Sequence, residues 1–94
     1  MDRQAFIDRL KAQMDEWNAE IDKLEAQARK AEADARLRYD AQLQELRVQR
    51  DKAEEKLKEA RTTSEQAWAD MSVGFTNAWG AIHDGWRNAM KRFG

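Results

Sequence analysis

Large apolar side chains recur along the first part of the chain at alternating steps of three and four: Ile7, Leu10, Met14, Trp17, Ile21 and Leu24, continued by Ala28, Ala31 and Ala35. Only an α-helix lines up such positions on one narrow stripe. Four heptads of it predict a coiled-coil seam rather than the broad apolar face of an ordinary surface helix. After Leu24 the seam narrows to alanine, which lets backbones approach closely but buries little area per residue. Ala35, Tyr39 and Leu43 are then four apart, and Leu46, Arg50, Ala53, Leu57 and Ala60 return to alternating steps. That shift has the form of a stutter in a continuous coiled coil. Arg50 falls on the seam, where it either fixes register or snorkels outward.

The other faces of this stretch are charged. Glu25–Arg29, Glu32–Arg36, Asp34–Arg38 and Glu54–Lys58 place an acid four residues before a base, an arrangement that stabilises an exposed helix by about 0.2–0.5 kcal/mol per pair. There is no proline, and the first glycine is Gly74. Nothing strong enough to break a helix precedes it, so one helix is expected over residues 3–61. At 1.5 Å per residue it would span roughly 88 Å.

Around Arg61-Thr62-Thr63-Ser64-Glu65-Gln66 the signals change. Three consecutive hydroxyl residues suit a helix interior poorly. Thr62 with Glu65, or Thr63 with Gln66, has the spacing of a capping box. A boundary or kink is expected here, with a second helix over about 64–93, though the two could also be fused.

The second segment repeats every eleven residues. Trp68, Trp79 and Met90 correspond, as do Met71, Ile82 and Phe93, and Phe75 and Trp86. Eleven residues make almost three helical turns, so these eight side chains share one face. Ala67, Gly74, Ala78, Gly85 and Ala89 form a small-residue shoulder beside it. Such a stripe packs against the first segment or against other tails. Alternatively it seeks a surface, either a partner helix or a membrane interface.

Composition sharpens the division. Residues 1–61 hold 14 basic and 15 acidic side chains, whereas residues 62–94 hold three of each. A charged stalk (1–61) is followed by an aromatic tail (62–94). The formal net charge of −1 lacks the basic excess of nucleic-acid proteins. Without cysteine, disulfides and thiolate metal sites are excluded. His83 is the single histidine and has no second soft ligand beside it. The neighbours Asp15 and Glu16, and Glu54 and Glu55, could do acid–base work only in a cleft that perturbs them. A thin helical rod offers none. No enzyme, cofactor, metal or small-molecule substrate is therefore expected.

Met1-Asp2-Arg3-Gln4-Ala5-Phe6 is followed by Asp8 and Arg9, without the apolar region of a signal peptide. No run approaches the roughly 18 apolar residues of a transmembrane helix. A cytoplasmic protein is expected, with attachment of the tail to the inner membrane face as the variant.

The chain resembles the small bacterial coiled-coil stress-response proteins. The stretches that carry the resemblance are Asp15-Glu16-Trp17-Asn18-Ala19-Glu20-Ile21-Asp22-Lys23-Leu24-Glu25, Ala33-Asp34-Ala35 with Tyr39, Glu45-Leu46-Arg47 with Arg50-Asp51, Lys56-Leu57, and the pairs Ala67-Trp68 and Ala78-Trp79. The resemblance implies a soluble bacterial protein linked to stress, without catalytic activity or a defined ligand.

The expected architecture is thus all-α and elongated. A lone helix of this length would leave its stripe wet, so a homo-oligomer joined along Ile7, Leu10, Met14, Trp17, Ile21, Leu24, Leu43, Leu46 and Leu57 is favoured. The competing arrangement is a folded-back hairpin with the tail on the stalk. The expected role is a self-associating scaffold or protective protein. The alternative is a peripheral membrane protein anchored by Trp68, Met71, Phe75, Trp79, Ile82, Trp86, Met90 and Phe93.

Overall fold

The computed structural model describes residues 2–92. Three helices follow in order: α1 (Arg3–Lys30), α2 (Ala33–Thr62) and α3 (Glu65–Lys91), with no strand among the described residues. The all-α expectation holds. The expected single helix over 3–61 is instead two helices, separated at Ala31 and Glu32.

That break needs no glycine or proline. Ala31 (φ −79°, ψ 154°) and Glu32 (φ −66°, ψ 161°) are simply extended, a conformation open to any residue. Thr63 (φ −77°, ψ 132°) and Ser64 (φ −71°, ψ 161°) make the second corner in the same way. The carbonyls orphaned where α1 ends are answered from across the first corner. Arg36 donates from Nε to the Ala28 carbonyl at 3.3 Å and from Nη2 to the Arg29 carbonyl at 2.8 Å. A cation there also complements the negative end of the α1 dipole.

The helix starts are capped by short side chains. Asp2 accepts from the Gln4 N–H at 3.0 Å, and Ser64 accepts from the Ala67 N–H at 3.1 Å. The boundary near residue 62 is where the sequence places it, but Ser64 caps α3 rather than either threonine. Thr62 and Thr63 instead close α2, both donating their hydroxyls to the Glu59 carbonyl.

Two sharp corners make α2 antiparallel to α1 and α3 parallel to α1. Asn18 of α1 meets Arg50 of α2, and Glu25 meets Arg47. Arg3 at the start of α1 bonds the Ala60 and Arg61 carbonyls and Glu65. The described residues measure 53 × 18 × 16 Å, so the folded-back competitor prevails in a three-helix form and the rod is far shorter than 88 Å. None of the four expected i,i+4 charge pairs closes among the described residues. Glu25 pairs with Arg47 instead, and Arg36 is drawn to the α1 carbonyls.

The core runs the length of the bundle. Small residues (Ala28, Ala53, Ala60) and leucines (Leu10, Leu24, Leu43, Leu46, Leu57) are buried in α1 and α2. α2 lies close to both neighbours, whereas the α1 and α3 backbones stay further apart. Aromatic rings fill that wider gap.

Candidate functional site

α3 carries the aromatic stripe of the sequence, and the bundle turns it inward. Trp68, Phe75, Ile82 and Trp86 are buried, and Trp79 and Met90 are half-buried against the same core. Two ring clusters result. Near the α3 start, Phe6 lies 5.2 Å from Trp68 and 5.8 Å from Phe75, centroid to centroid. Further along, Trp17 stacks on Trp86 at 4.4 Å and on Trp79 at 5.3 Å. Such contacts add about 0.5–1.5 kcal/mol each beyond the area they bury. Phe6 was missed by the heptad reading, which placed Ile7 on the seam. Both are buried, because the α1 stripe must widen to meet two helices instead of one.

The nine residues expected to join copies of the chain lie elsewhere than on a free face. Ile7, Leu10, Met14, Trp17, Ile21, Leu24, Leu43, Leu46 and Leu57 are all buried within one chain. Arg50 is partly covered and reaches outward to Asp51 at 3.1 Å and Asn18 at 3.4 Å, the snorkelling alternative. Met71 departs from the tail stripe. It is 48% exposed, because it sits at the edge of the arc, on the side facing α2. Phe93 lies outside the described residues. The face expected to meet a membrane is therefore the face that packs on α1 and α2. No helix of the described residues is long and apolar enough to cross a membrane.

His83 is half-buried, its ring 6.3 Å from Trp17 and 6.0 Å from Trp79. It packs with the tryptophan cluster. Among the described residues, no three His, Cys, Asp or Glu side chains are grouped so as to hold a metal ion. Asp15, Glu16, Glu54 and Glu55 are all exposed. A polar hollow of about 230 Å³ near the first corner is lined by Arg29, Arg36 and Arg47 with Glu25 and Asp40. Arg36 is spent there on carbonyls and Arg47 on Glu25.

The remaining feature is the solvent side of α3. Of the helix positions, 12 of 28 in α1 and 15 of 30 in α2 are charged, against 5 of 27 in α3. From Met71 to His83 none is. This stretch exposes Met71, Val73, Gly74, Thr76, Asn77, Gly80 and Ala81. Beside it, α2 and α3 enclose an open trough. One hollow of about 610 Å³ is bounded by Val48, Asp51, Lys52, Glu55 and Lys56 of α2 and by Ala78, Ala81 and Ile82 of α3. A second, of about 340 Å³, continues it past Lys56 and Glu59 to Asp70, Met71, Gly74 and Phe75. Of the four large apolar residues exposed among the described residues, Val48 and Met71 border the trough, Val73 lies with Ser72, Thr76 and Asn77 on another face of α3, and Leu37 is apart from them.

The glycines divide by surroundings. A Cβ at Gly85 would lie 2.7 Å from the Gln49 carboxamide, whereas one at Gly74 or Gly80 would meet nothing within 4 Å. Gly85 thus makes room for Gln49. Gly74 and Gly80 lower helix stability without any packing return inside the chain. The charge gap was legible in the sequence. The trough was not, because it exists only once α2 and α3 lie side by side.

Comparison with protein-family models, with curated proteins and with solved structures found no match.

Proposed function

We propose that the chain is a non-enzymatic interaction protein, a short helical scaffold that acts by binding rather than turnover. Its working surface is the weakly charged side of α3 together with the α2–α3 trough. The observation that supports this reading is the contrast in charge. A solvated helix in this chain carries an ionised group at nearly every second position, as α1 and α2 do. α3 carries none from Met71 to His83, and Met71 and Val73 are exposed within that stretch. Exposed apolar groups on a surface short of charge mark interaction sites. A protective or scaffolding role in the bacterial cytoplasm under stress rests on the sequence resemblance alone.

The membrane-anchored reading requires α3 to leave the bundle with its rings, separating Trp17 from Trp79 and Trp86. The interaction reading uses the surface that is already outward.

Photo-cross-linking in cells tests it. A photoreactive residue at Val73 is expected to capture protein, while one at Glu16, on the charged face of α1, is not. No capture from Val73 above that from Glu16 would overturn the reading.

A further inference from the structure

We propose that the first corner is a hinge at which two copies of the chain exchange α1, with α1 and α2 of each copy fused into one helix over residues 3–62. The single chain is the closed form, and its partner in the exchange is a second copy. The proposal does not depend on what the α3 surface binds.

The two corners differ in what holds them. Side chains close the second one: Ser64 caps α3, and Thr62 and Thr63 bond the Glu59 carbonyl. At the first corner Glu32 occupies the cap position, and its side chain makes no cap bond. α2 therefore begins without the acceptor that Asp2 and Ser64 give to the other two helices. Ala31 and Glu32 are good helix formers, yet both are extended.

Arg36 holds this corner bent. It bonds the carbonyls of Ala28 and Arg29. In a continuous helix those two carbonyls accept from the N–H groups of Glu32 and Ala33, four residues on. Guanidinium and helix thus compete for the same two acceptors. Continuity also releases Arg36 to Glu32 and sets Asp34 between Lys30 and Arg38, each pair four residues apart.

The exchange conserves the core. α1 of one copy lies on α2 and α3 of the other, so Trp17 stacks on the other copy's Trp86 and Phe6 meets its Trp68, as they do within one chain. The new contact lies at the middle, where the two long helices cross. The register that sets Arg3 beside Ala60 brings Ala28 of one copy level with Ala35 of the other. Ala28, Ala31 and Ala35 carry the seam on from Leu24 at helical spacing and let two backbones approach. Within one chain the turn interrupts that seam.

Exchange of an identical element is a low-cost route to a dimer. In dilute solution closure within the chain wins, because the short link holds α1 against its own α2 at an effective concentration on the order of millimolar. The exchanged dimer therefore forms on refolding at high concentration.

The test refolds the full chain from urea at micromolar to millimolar concentration and resolves the products by sedimentation. A fraction of twice the 11.0 kDa of one chain is expected at the upper end, and it persists on dilution until the chain is partly unfolded. Glu32→Pro is the decisive variant. Proline fits the bent corner, where Glu32 has φ −66° and Ala31 has ψ 154°, and does not continue a helix through residue 32. It is expected to leave the melting temperature of the single chain at or above the wild-type value and to abolish the double-mass fraction. Arg36→Ala is expected to raise that fraction severalfold. Absence of a double-mass fraction from both wild type and Arg36→Ala overturns the proposal. So does a dimer that Glu32→Pro forms as readily as wild type, since two closed bundles docked side by side need no continuous helix.

Discussion

The rings of Trp17 and Trp86 lie parallel, 4° apart in orientation and 4.4 Å between centroids. This stack ties the first helix to the third across the widest gap in the bundle. Trp79 flanks the same Trp17 ring at 5.3 Å, so Trp17 sits where α1 and α3 depend on each other most.

Truncating that ring should be severe. Trp17 is buried, and Trp→Ala in a core costs about 3–5 kcal/mol. A domain this small has a total stability on the order of 5–14 kcal/mol. Trp17→Ala is predicted to lower the urea midpoint sharply and to red-shift the remaining tryptophan fluorescence as Trp79 and Trp86 become wet. Trp17→Phe should recover much of the loss. An unchanged urea midpoint for Trp17→Ala would show that the stack contributes little.

The helical glycines Gly80 and Gly85 should respond differently to one substitution. Gly80→Ala removes a helix penalty into open space and is predicted to stabilise by about 0.5–1 kcal/mol. Gly85→Ala places a Cβ 2.7 Å from Gln49, so its propensity gain is offset by displacement of that side chain. Thermal melts followed by circular dichroism at a common low concentration should rank Gly80→Ala above wild type and Gly85→Ala below Gly80→Ala. The reverse order would contradict the described packing of Gln49.

Arg36 is predicted to matter more than its exposure suggests. Its guanidinium bonds two carbonyls at the end of α1, and Arg36→Ala leaves them to water and removes a favourable charge from the helix end. A loss of about 1 kcal/mol is expected, with Arg36→Lys in between. Hydrogen exchange should localise the effect to the last turn of α1. Faster exchange spread over the whole chain instead would point to a different cause.

Ser64 makes the cap of α3. Ser64→Ala should cost about 1 kcal/mol and Ser64→Asp almost nothing. Thr62→Ala and Thr63→Ala should be milder, since their hydroxyls bond a carbonyl of α2 rather than an orphaned N–H. Equal losses at all three positions, measured by urea denaturation, would put the helix start in the wrong place.

The sequence made the helices, the buried stripe and the second corner readable, because periodicity reports directly on which side of a helix is covered. Ile7 through Leu24 are buried as their spacing requires. It did not reveal the first corner. Ala31 and Glu32 adopt an extended link that leaves no glycine or proline signature. The two clues were the thinning of the seam to alanine and the four-residue step at Tyr39, both of which a continuous coiled coil also accommodates. What covers a stripe is likewise invisible to periodicity. A second chain and a second helix of the same chain ask for the same residues, so Leu10 and Leu46 read alike in either case.

The fold-back at Ala31 and Glu32 is tested most directly by a distance between spin labels at Glu16 and Lys52, both exposed, with labelled chain diluted in excess unlabelled chain to remove distances between copies. The three-helix bundle places these positions at the same level of adjacent antiparallel helices and predicts a dominant distance of about 10–25 Å, from an interaxial spacing of 8–10 Å plus the label linkers. A dominant distance near 54 Å, the span of an uninterrupted helix between them, would contradict it.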